Sequence, residues 1–520
     1  MSPYFSLLDN VVMLVYLVVV IATGAFLYRG QRTPRDYFLA GRSMGWLMVT
    51  LSIFCTGFSS IGFIGSAGVG YKRDLILFSA MFNMPVVTLI LLTVLMPFFY
   101  KLNLYTAYEY LEERFDLKTR ALASGLFLFM RSFLTATMLY ATALVFSETL
   151  NVSLFWTALA LGLVCTYTVL GGIKAVMIID CIQFFIINIG ALAALVTMIA
   201  SIDGGFIGTL REASVSGRLR LFDWSFHLYG NEYDSWNCII GLFFANLASF
   251  GVDQTMMQRN LTSKTYEVNR RATIMTPVFC VPLSLLFYFL GTALFVYYQQ
   301  HPGLVDPNIA GDRVLVHYVL TRMPSGLRAL MIAAIFAAAI TNIDSAFNSL
   351  ATVTTVDFID RFNKKGQKLS VGWARAITIF WGVFSTALAL FWVYRGGLSS
   401  VLENAIVIGS FSSGPLLAIF LGGMLFRRLT ANGAFYGSVV GLFMVCWTEF
   451  LPRLAQTYHW DLPRWLALTG GIHSFWYGAL GFLSTMLFGS VISWFGSAPS
   501  PAEVKGLVVG EPILDRGTRL

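Results

Sequence analysis

Side chains that could bind a cation are concentrated in one apolar segment, residues 329–357. The segment is Ala-rich and uncharged up to Ile340, and oxygen-bearing side chains then follow within about three helical turns. At helical spacing Thr341 and Ser345 share one face, with the Asp344 carboxylate beside them. Carboxylates at membrane depth are costly and usually mark the path of an ion or substrate. We therefore predict a membrane helix that supplies oxygen ligands to a monovalent cation.

A purely structural role is the alternative for these side chains. Ser and Thr hydroxyls can bond to carbonyls one turn earlier, and Asn and Asp can join neighbouring helices. We expect this structural role for Ser349 and Thr352. For Thr341, Asp344 and Ser345 taken together, the buried carboxylate favours the ion site.

The composition is typical of a protein that crosses a membrane many times. Of 520 residues, 57% are hydrophobic and 12% are charged, about half the charge of a soluble protein. The net charge of +8 comes from Lys and Arg clustered in short loops, which orient a membrane protein rather than bind nucleic acid. The six cysteines lie in or beside apolar segments without a CxxC pair, so we expect neither a disulfide framework nor a zinc site.

Apolar runs of spanning length predict thirteen transmembrane helices, the first of them retained rather than removed as a signal peptide. They are residues 10–28, 45–70, 75–100, 120–149, 153–170, 173–201, 236–252, 271–299, 326–358, 371–396, 400–427, 432–452 and 471–496. With an odd number of helices, the loops rich in Lys and Arg all fall on one side. Arg259, after the seventh helix, is counted among these loop charges.

This charge pattern predicts the topology. It places the N-terminus outside the cell and the C-terminus in the cytoplasm, with loops 202–235 and 300–325 outside. We expect one transmembrane domain over residues 1–496. Residues 497–520, which are polar and contain Pro and Gly, should form a mobile cytoplasmic tail.

Two predicted helices contain small and polar residues at mid-membrane, residues 53–60 and 244–251. Matching interruptions in two halves of a transporter point to a midplane site, because unwinding frees carbonyls for a cation and amides for an anionic group. Close helix packing is the alternative for either segment alone. Residues 409–415 show a weaker interruption of the same kind.

Two isolated charges lie inside predicted helices and need partners. Asp180 either pairs with Lys174 near the interface or faces the ninth helix as a second intramembrane carboxylate. Arg131 either extends to the cytoplasmic surface or pairs with Asp344 or with a solute carboxylate.

The loop after the third predicted helix contains a helix start signal. Thr106 and Glu109 have the spacing of a capping box that opens a short amphipathic helix. This helix suits the cytoplasmic membrane surface, and an ordinary solvated loop helix is the alternative. Elsewhere the sequence shows no nucleotide-binding loop, His/Cys cluster or Ser-His-Asp set, so we do not expect an enzyme.

The sequence resembles the sodium:solute symporter family, above all bacterial sialic-acid symporters and carriers of iodide, vitamins and monocarboxylates. The stretches that carry the resemblance are residues 36–46, the interruption at 53–60, and residues 98–115, 171–183, 253–259, 295–304 and 333–352. The resemblance implies an all-α, leucine-transporter-type fold of two inverted five-helix repeats, residues 45–201 and 236–427. Helix 10–28 precedes the repeats, and residues 432–496 follow them.

The resemblance also implies two sodium sites. The family's shared site maps onto the carbonyls of Cys55, Phe58 and Ala338 and the side chains of Thr341 and Asn342. A second site, present in some members, maps onto Asp180, Thr341, Asp344 and Ser345. Asn342 and Asp344 both stand where relatives usually carry a hydroxyl.

The solute cavity implied by the resemblance differs from that of sialic-acid carriers. It maps onto Ser59, Ser60, Gly62, Met81, Leu134 and Phe243. Sialic-acid carriers place an arginine at the position of Leu134 and a glutamine at that of Met81. Arg131 lies one helical turn from Leu134 and is a further candidate for contact with the solute.

The function implied is sodium-coupled symport of a small organic solute into the cell by alternating access. Sugars, sialic-acid-like and monocarboxylate-like compounds are the solute classes considered. We expect sodium as the coupling ion, no cofactor, no nucleic-acid partner, a functional monomer and the inner cell membrane. The alternatives are proton-coupled symport through Asp180 or Asp344, a channel-like permease and the membrane domain of a sensor.

Overall fold

The computed structural model describes residues 5–28, 31–58, 60–230, 232–363, 370–395, 401–461, 463, 466 and 469–511, without the side chains of residues 60, 61, 148, 150 and 401–406. This part of the chain is helical, with two isolated β-bridges. The helices of the first half are α1 Leu7–Tyr28, α2 Pro34–Leu39, α3 Trp46–Gly57, α4 Ser60–Lys72, α5 Ile76–Lys101, α6 Glu109–Arg114, α7 Leu117–Leu150, α8 Leu154–Val169, α9 Gly172–Ala200 and α10 Gly205–Val215. Those of the second half are α11 Asn237–Gly251, α12 Gln254–Leu261, α13 Tyr266–Gln300, α14 Gly311–Arg322, α15 Leu327–Phe362, α16 Val371–Tyr394, α17 Val401–Leu425, α18 Ala431–Tyr458, α19 Ser474–Phe495 and α20 Pro501–Val504.

Ten of the described helices are long and apolar enough to cross a membrane. Two bent pairs, α3 with α4 and α11 with α12, bring the number to as many as twelve. The apolar helix α8 is shorter than these spans and corresponds to the fifth predicted helix. The described helices thus agree with the predicted segments, while the total of thirteen crossings stays a prediction.

The central helix of the molecule is α15, which contains the cation-binding candidates. In an 18-residue apolar stretch of α15, 89% of the residues are buried, whereas the corresponding share in α1 is 17%. Helix α15 therefore lies inside the bundle, and α1 presents most of its surface to the outside, as expected for a peripheral helix among lipids.

Both predicted interruptions have a bend nearby, but only one coincides with it. Helices α3 and α4 meet at 58° after Gly57, inside the predicted stretch 53–60. Helix α11 is continuous to Gly251, so the interruption predicted at 244–251 was placed too early. The 46° bend follows at Val252 and Asp253, because the Asp253 carboxylate caps α12 by accepting a hydrogen bond from the Thr255 amide (2.8 Å).

The interruption predicted at residues 409–415 is wrong. Helix α17 runs through this stretch, with Pro415 inside it. A Cβ atom on Gly414 would lie only 2.3 Å from the Gly478 carbonyl oxygen. The small residues here allow α17 and α19 to pack closely, which is the alternative considered for the other interruptions.

The two ends of the described chain lie at opposite ends of α15. Near its start, the Asp9 carboxylate accepts a hydrogen bond from the Gly326 amide (2.7 Å). Loops 202–235 and 300–325 also meet here, because the Asp203 amide donates to the Gln300 side chain (2.8 Å). Residues near the C-terminus contact elements at the other end of α15. The number of crossings and the side on which each terminus lies stay predictions.

The end of the chain is docked rather than mobile over residues 500–511, contrary to our expectation. Val504, Leu507 and Val508 are buried. The Tyr110 hydroxyl donates to the Leu507 carbonyl (3.0 Å), and the Val509 amide donates to the Met424 carbonyl (2.8 Å). Three apolar residues within a polar stretch therefore hold it against α6 and α17.

The predicted short helix is α6, but it lies in neither environment that we considered. The Glu109 carboxylate accepts a hydrogen bond from the Thr106 amide (2.8 Å), as in a capping box. The Thr106 hydroxyl instead donates to the Asp357 carboxylate (2.7 Å) on α15. Tyr110 is fully buried, and its ring stacks on Phe420 of α17. Helix α6 is therefore part of the core.

Candidate cation and solute sites

The break between α3 and α4 turns backbone carbonyls toward α15. In a continuous helix, the Cys55 and Thr56 carbonyls would accept hydrogen bonds from amides four residues later. Because α3 ends at Gly57, the Cys55 carbonyl instead contacts the Thr341 hydroxyl (3.2 Å). The Thr56 carbonyl accepts a hydrogen bond from the side-chain amide nitrogen Nδ2 of Asn342 (2.5 Å). Helix breakage thus provides the carbonyl acceptors, and α15 provides the side chains.

Three of the five ligands implied for the shared sodium site lie together. The Thr341 hydroxyl oxygen is 3.2 Å from the carbonyl oxygens of both Cys55 and Ala338. The Asn342 side-chain oxygen Oδ1 is buried nearby on the same helix and accepts no hydrogen bond from the described residues. Phe58, the remaining candidate, occupies the bend with non-helical dihedral angles (φ −105°, ψ 82°).

The residues of the implied second site lie on two neighbouring helices, α9 and α15. Asp180 on α9 accepts a hydrogen bond from the Ser52 hydroxyl (2.5 Å) of α3. Asp344 on α15 accepts one from the Thr168 hydroxyl (2.6 Å) of α8. Ser345 donates to the Thr341 carbonyl and lies 3.2 Å from the Thr56 hydroxyl. One carboxylate oxygen of Asp180 and one of Asp344 are buried and accept no hydrogen bond from the described residues.

Arg259 is a functional candidate that our sequence reasoning missed. Its guanidinium lies 3.3 Å from the Asp180 carboxylate, and both side chains are 1% exposed. The same group donates to the Ser52 hydroxyl (2.8 Å) and contacts the Ser345 hydroxyl. Arg259 is therefore not a loop charge, and Asp180 pairs with it rather than with Lys174. The signal available in the sequence was that Arg259 belongs to residues 253–259, one of the stretches that carry the family resemblance.

The structural role expected for two hydroxyls of α15 is confirmed. Ser349 donates to the Ala346 carbonyl (3.0 Å), one turn earlier. Thr352 donates to the Asn348 carbonyl (2.8 Å) and accepts a hydrogen bond from Gln258 (2.8 Å) of α12. These side chains join α15 to α12 on the helical turns that follow the candidate cation ligands.

A cavity of about 270 Å³ lies between α7, α11 and α17. Arg131 and Leu134 line it, whereas Gly62, Met81 and Phe243, also candidates for solute contact, do not. Ser59 and the Ser60 side chain lie outside the described residues. The polar and charged residues of the lining are Arg131, Asn246, Ser249, Asp253, Ser410, Ser412 and Ser413.

Arg131 has a partner that we did not expect. Its guanidinium lies 3.8 Å from the Asp253 carboxylate, and its side chain is 10% exposed. It therefore neither extends to the surface nor pairs with Asp344, whose carboxylate faces Thr168. Asp253 is the residue that caps α12 at the bend, so this ion pair connects α7 to the broken helix.

Comparison with known proteins identifies the family. The profile of the sodium:solute symporter family matches residues 37–441. A sodium/sialic acid symporter of Aliivibrio fischeri is 30% identical, with 93% of this chain and 92% of that protein covered. A sodium-dependent multivitamin transporter of Oryctolagus cuniculus is 32% identical, with 85% of this chain and 70% of that protein covered.

The fold of a solved relative agrees with these matches. A structure of a Na+-coupled sialic acid symporter in a substrate-bound, outward-open state superimposes with a TM-score of 0.84 at 26% identity. It covers 95% of this chain and 99% of its own. The leucine-transporter-type, all-helical fold is thereby confirmed, and the chain is a multi-pass membrane transporter rather than an enzyme. It belongs to the sodium:solute symporter family.

Proposed function

We propose that this protein couples the entry of sodium to the uptake of a small organic solute, with the shared sodium site at the break between α3 and α4. The convergence of the Cys55 and Ala338 carbonyls on the Thr341 hydroxyl, at 3.2 Å each, carries this proposal. The Phe58 carbonyl and the Asn342 side-chain oxygen would complete the ligand set. Oxygen atoms packed this closely are suited to a hard cation.

A cation at this site would couple its own binding to the binding of the solute. Two of its ligands belong to α3 and its bend, and the others belong to α15. The cation therefore favours the conformation in which these helices lie together. If solute binds better to the same conformation, each ligand raises the affinity for the other.

Unpartnered acceptors support a second cation site at Asp180, Thr341, Asp344 and Ser345. Buried side-chain oxygens nearly always have a hydrogen-bond donor or an ion beside them. One carboxylate oxygen each of Asp180 and Asp344 has no donor among the described residues. Arg259 already neutralises Asp180 in part, so a cation here would share that carboxylate with the guanidinium.

Proton coupling is the second candidate function, because the hydrogen bond to Asp344 comes from the neutral Thr168 hydroxyl. For either coupling ion, we propose a functional monomer in the inner cell membrane. Its N-terminus lies outside and its C-terminus in the cytoplasm, as the positively charged loops indicate.

Reconstitution of the purified protein in liposomes tests the coupling ion directly. Uptake of labelled N-acetylneuraminate, lactate and glucose is followed under an inward sodium gradient, with choline replacing sodium in the control. We expect uptake of at least one solute to require sodium and a proton gradient alone not to restore it. Full uptake in sodium-free buffer driven by pH would instead identify the protein as a proton symporter.

A further inference from the structure

The cavity between α7, α11 and α17 contains an ion pair whose two members differ in how much each depends on the other for stabilisation. Arg131 and Asp253 are the charged residues of its lining, and their closest atoms are 3.8 Å apart, too far for a hydrogen bond. The Arg131 Nε atom is buried and donates no hydrogen bond to the described residues. A guanidinium whose side chain is nine-tenths buried requires a better partner than this one.

Asp253 does not depend on Arg131 to the same degree. One of its carboxylate oxygens accepts the Thr255 amide hydrogen bond (2.8 Å), which caps α12. Its side chain is 26% exposed, compared with 10% for Arg131. A carboxylate that caps a helix and contacts solvent remains stabilised when its ion pair opens. Another carboxylate can therefore replace Asp253 as the partner of Arg131 at a low cost in free energy.

We propose, on the basis of the sodium-coupled transport proposed above, that the carboxylate of the transported solute replaces Asp253 as the partner of Arg131. A free carboxylate can approach the planar guanidinium with both oxygens, which Asp253 does not do. The solute is therefore an organic acid, and Arg131 selects it by charge.

The rest of the lining indicates the body of this acid. Serine hydroxyls at positions 249, 410 and 412 and the Asn246 amide can bond to hydroxyl or amide groups of a solute. Leu134 and Met130 provide apolar surface beside Arg131. A carboxylate at one end and a short body with a few polar groups match this distribution of side chains.

Opening the pair would also act on the candidate cation site. Asp253 caps α12 at the 46° bend, and Arg259 lies six positions later in the same helix. All eight residues of α12 are buried, so this helix moves only together with its neighbours. When the solute frees Asp253 from α7, the helix that holds Arg259 against Asp180 loses one of its ties. Solute binding and cation binding are thereby linked through α12.

Binding to the purified full-length protein tests this inference. N-acetylneuraminate, lactate and biotin are each titrated beside the corresponding uncharged methyl ester in saturating sodium. We expect at least one acid to bind and its ester to bind at least about tenfold more weakly, because the ester offers no charge to the guanidinium. Arg131→Gln should weaken binding of that acid by a similar factor. If Arg131→Gln does not fold, Arg131→Lys serves, since it keeps the charge but loses the bidentate geometry.

Asp253→Asn provides a readout that a purely structural role would not give. Removing the competing carboxylate should tighten binding of the acid several-fold, although the capping acceptor is retained. Asp116→Asn is the matched control, because Asp116 caps α7 through the Thr119 amide (2.8 Å) and does not line the cavity. It should leave acid binding unchanged.

The inference is overturned if no acid binds, if esters bind as tightly as acids, or if Arg131→Gln binds the acid like the original protein. Thermal stabilisation by sodium alone is measured on the same samples. Stabilisation by sodium without Arg131-dependent acid binding would sink this inference and leave the proposed coupling intact. The absence of any sodium effect, with Arg131-dependent acid binding present, would contradict the proposed coupling instead.

Discussion

Arg259 of α12 and Asp180 of α9 form an ion pair at 3.3 Å, with 1% of each side chain exposed. The pair lies beside Ser345 of α15, a candidate ligand of the second cation site. A buried pair is rarely a net source of stability, because desolvation of both charges opposes their attraction. Its position among oxygen ligands therefore indicates a functional reason for its presence.

Removing one member of this pair should be far more harmful than removing both. Asp180→Asn or Arg259→Gln leaves one buried charge unpaired, for which we expect a loss of about 3–5 kcal/mol and poor yield of folded protein. The double variant should recover much of the yield, without normal sodium dependence of transport. Size-exclusion profiles and melting temperatures of the three variants in detergent provide the measurement.

Arg271→Gln is the control for this comparison. Arg271 pairs with Glu267 at 3.3 Å, but both side chains are more than half exposed, and such pairs contribute little. We expect no measurable change in melting temperature. A double variant no more stable than the worse single variant would show that the two side chains act independently.

Two predictions that rest on local pattern were accurate, whereas the interruption at residues 409–415, predicted in the same way, was wrong. The apolar segment that ends in Thr341, Asp344 and Ser345 is a buried helix, and the stretch 53–60 contains a bend. Both depend on residue types close together in the chain, since small and polar residues weaken a membrane helix where they occur. The second bend, at Val252 and Asp253, was predicted only to within two residues, at 244–251.

Partners far apart in the chain could not be predicted from local pattern. Arg259 is 79 positions from Asp180, and Arg131 is 122 positions from Asp253. Charge alone did not show that Arg259 is buried, because α12 follows a bend that returns it to the core. The docking of the end of the chain could not be predicted for the same reason, since Leu507 contacts Tyr110, which lies 397 positions earlier.

Asp344→Ser should retain transport and weaken sodium binding. A hydroxyl at this position still provides an oxygen ligand, but the negative charge that attracts the cation is lost. Sodium titrations of solute uptake provide the measurement, and the concentration for half-maximal uptake should rise. Complete loss of transport with normal expression would instead indicate that Asp344 contacts the solute or carries a proton.

Leu507→Ala should destabilise the protein through the docked end of the chain. Leu507 is 4% exposed, and truncation of a buried Leu typically lowers the free energy of unfolding by about 2–5 kcal/mol. Thermal melting in detergent should show a clear decrease. Val509→Ala is the control, because Val509 is 43% exposed. Equal melting temperatures for both variants would contradict docking of this segment.

Acidification should loosen the end of α6 through Glu112. Burial raises the pKa of the Glu112 carboxyl, but hydrogen bonds and charges from Arg361 and Arg120 outweigh this effect and place the pKa below its usual value. A lowered pKa means that ionised Glu112 stabilises the fold above about pH 4.5, and that this contribution disappears as pH falls through the folded-state pKa.

Melting temperature measured between pH 7 and pH 3 tests this prediction. Glu112→Gln should melt lower than the original protein at pH 7, and the difference should shrink as the pH falls below about 4.5. Glu232→Gln, which changes a side chain that is 76% exposed, should run parallel to the original protein. A difference that stays constant with pH would show that Glu112 acts through its shape rather than its charge.

Thr341→Val should raise the sodium concentration for half-maximal transport by about tenfold or more. The substitution keeps the shape of the side chain but removes the oxygen that lies 3.2 Å from both the Cys55 and Ala338 carbonyls. A cation at the break would then lack the ligand that joins α3 to α15, so sodium would no longer favour the conformation in which these helices meet. Sodium titrations of uptake in liposomes, at equal amounts of folded protein, provide the measurement. Thr137→Val is the matched control, because the buried Thr137 hydroxyl bonds to the Phe133 carbonyl of its own helix (3.0 Å). An unchanged sodium dependence in Thr341→Val would mean that Thr341 only packs against α3.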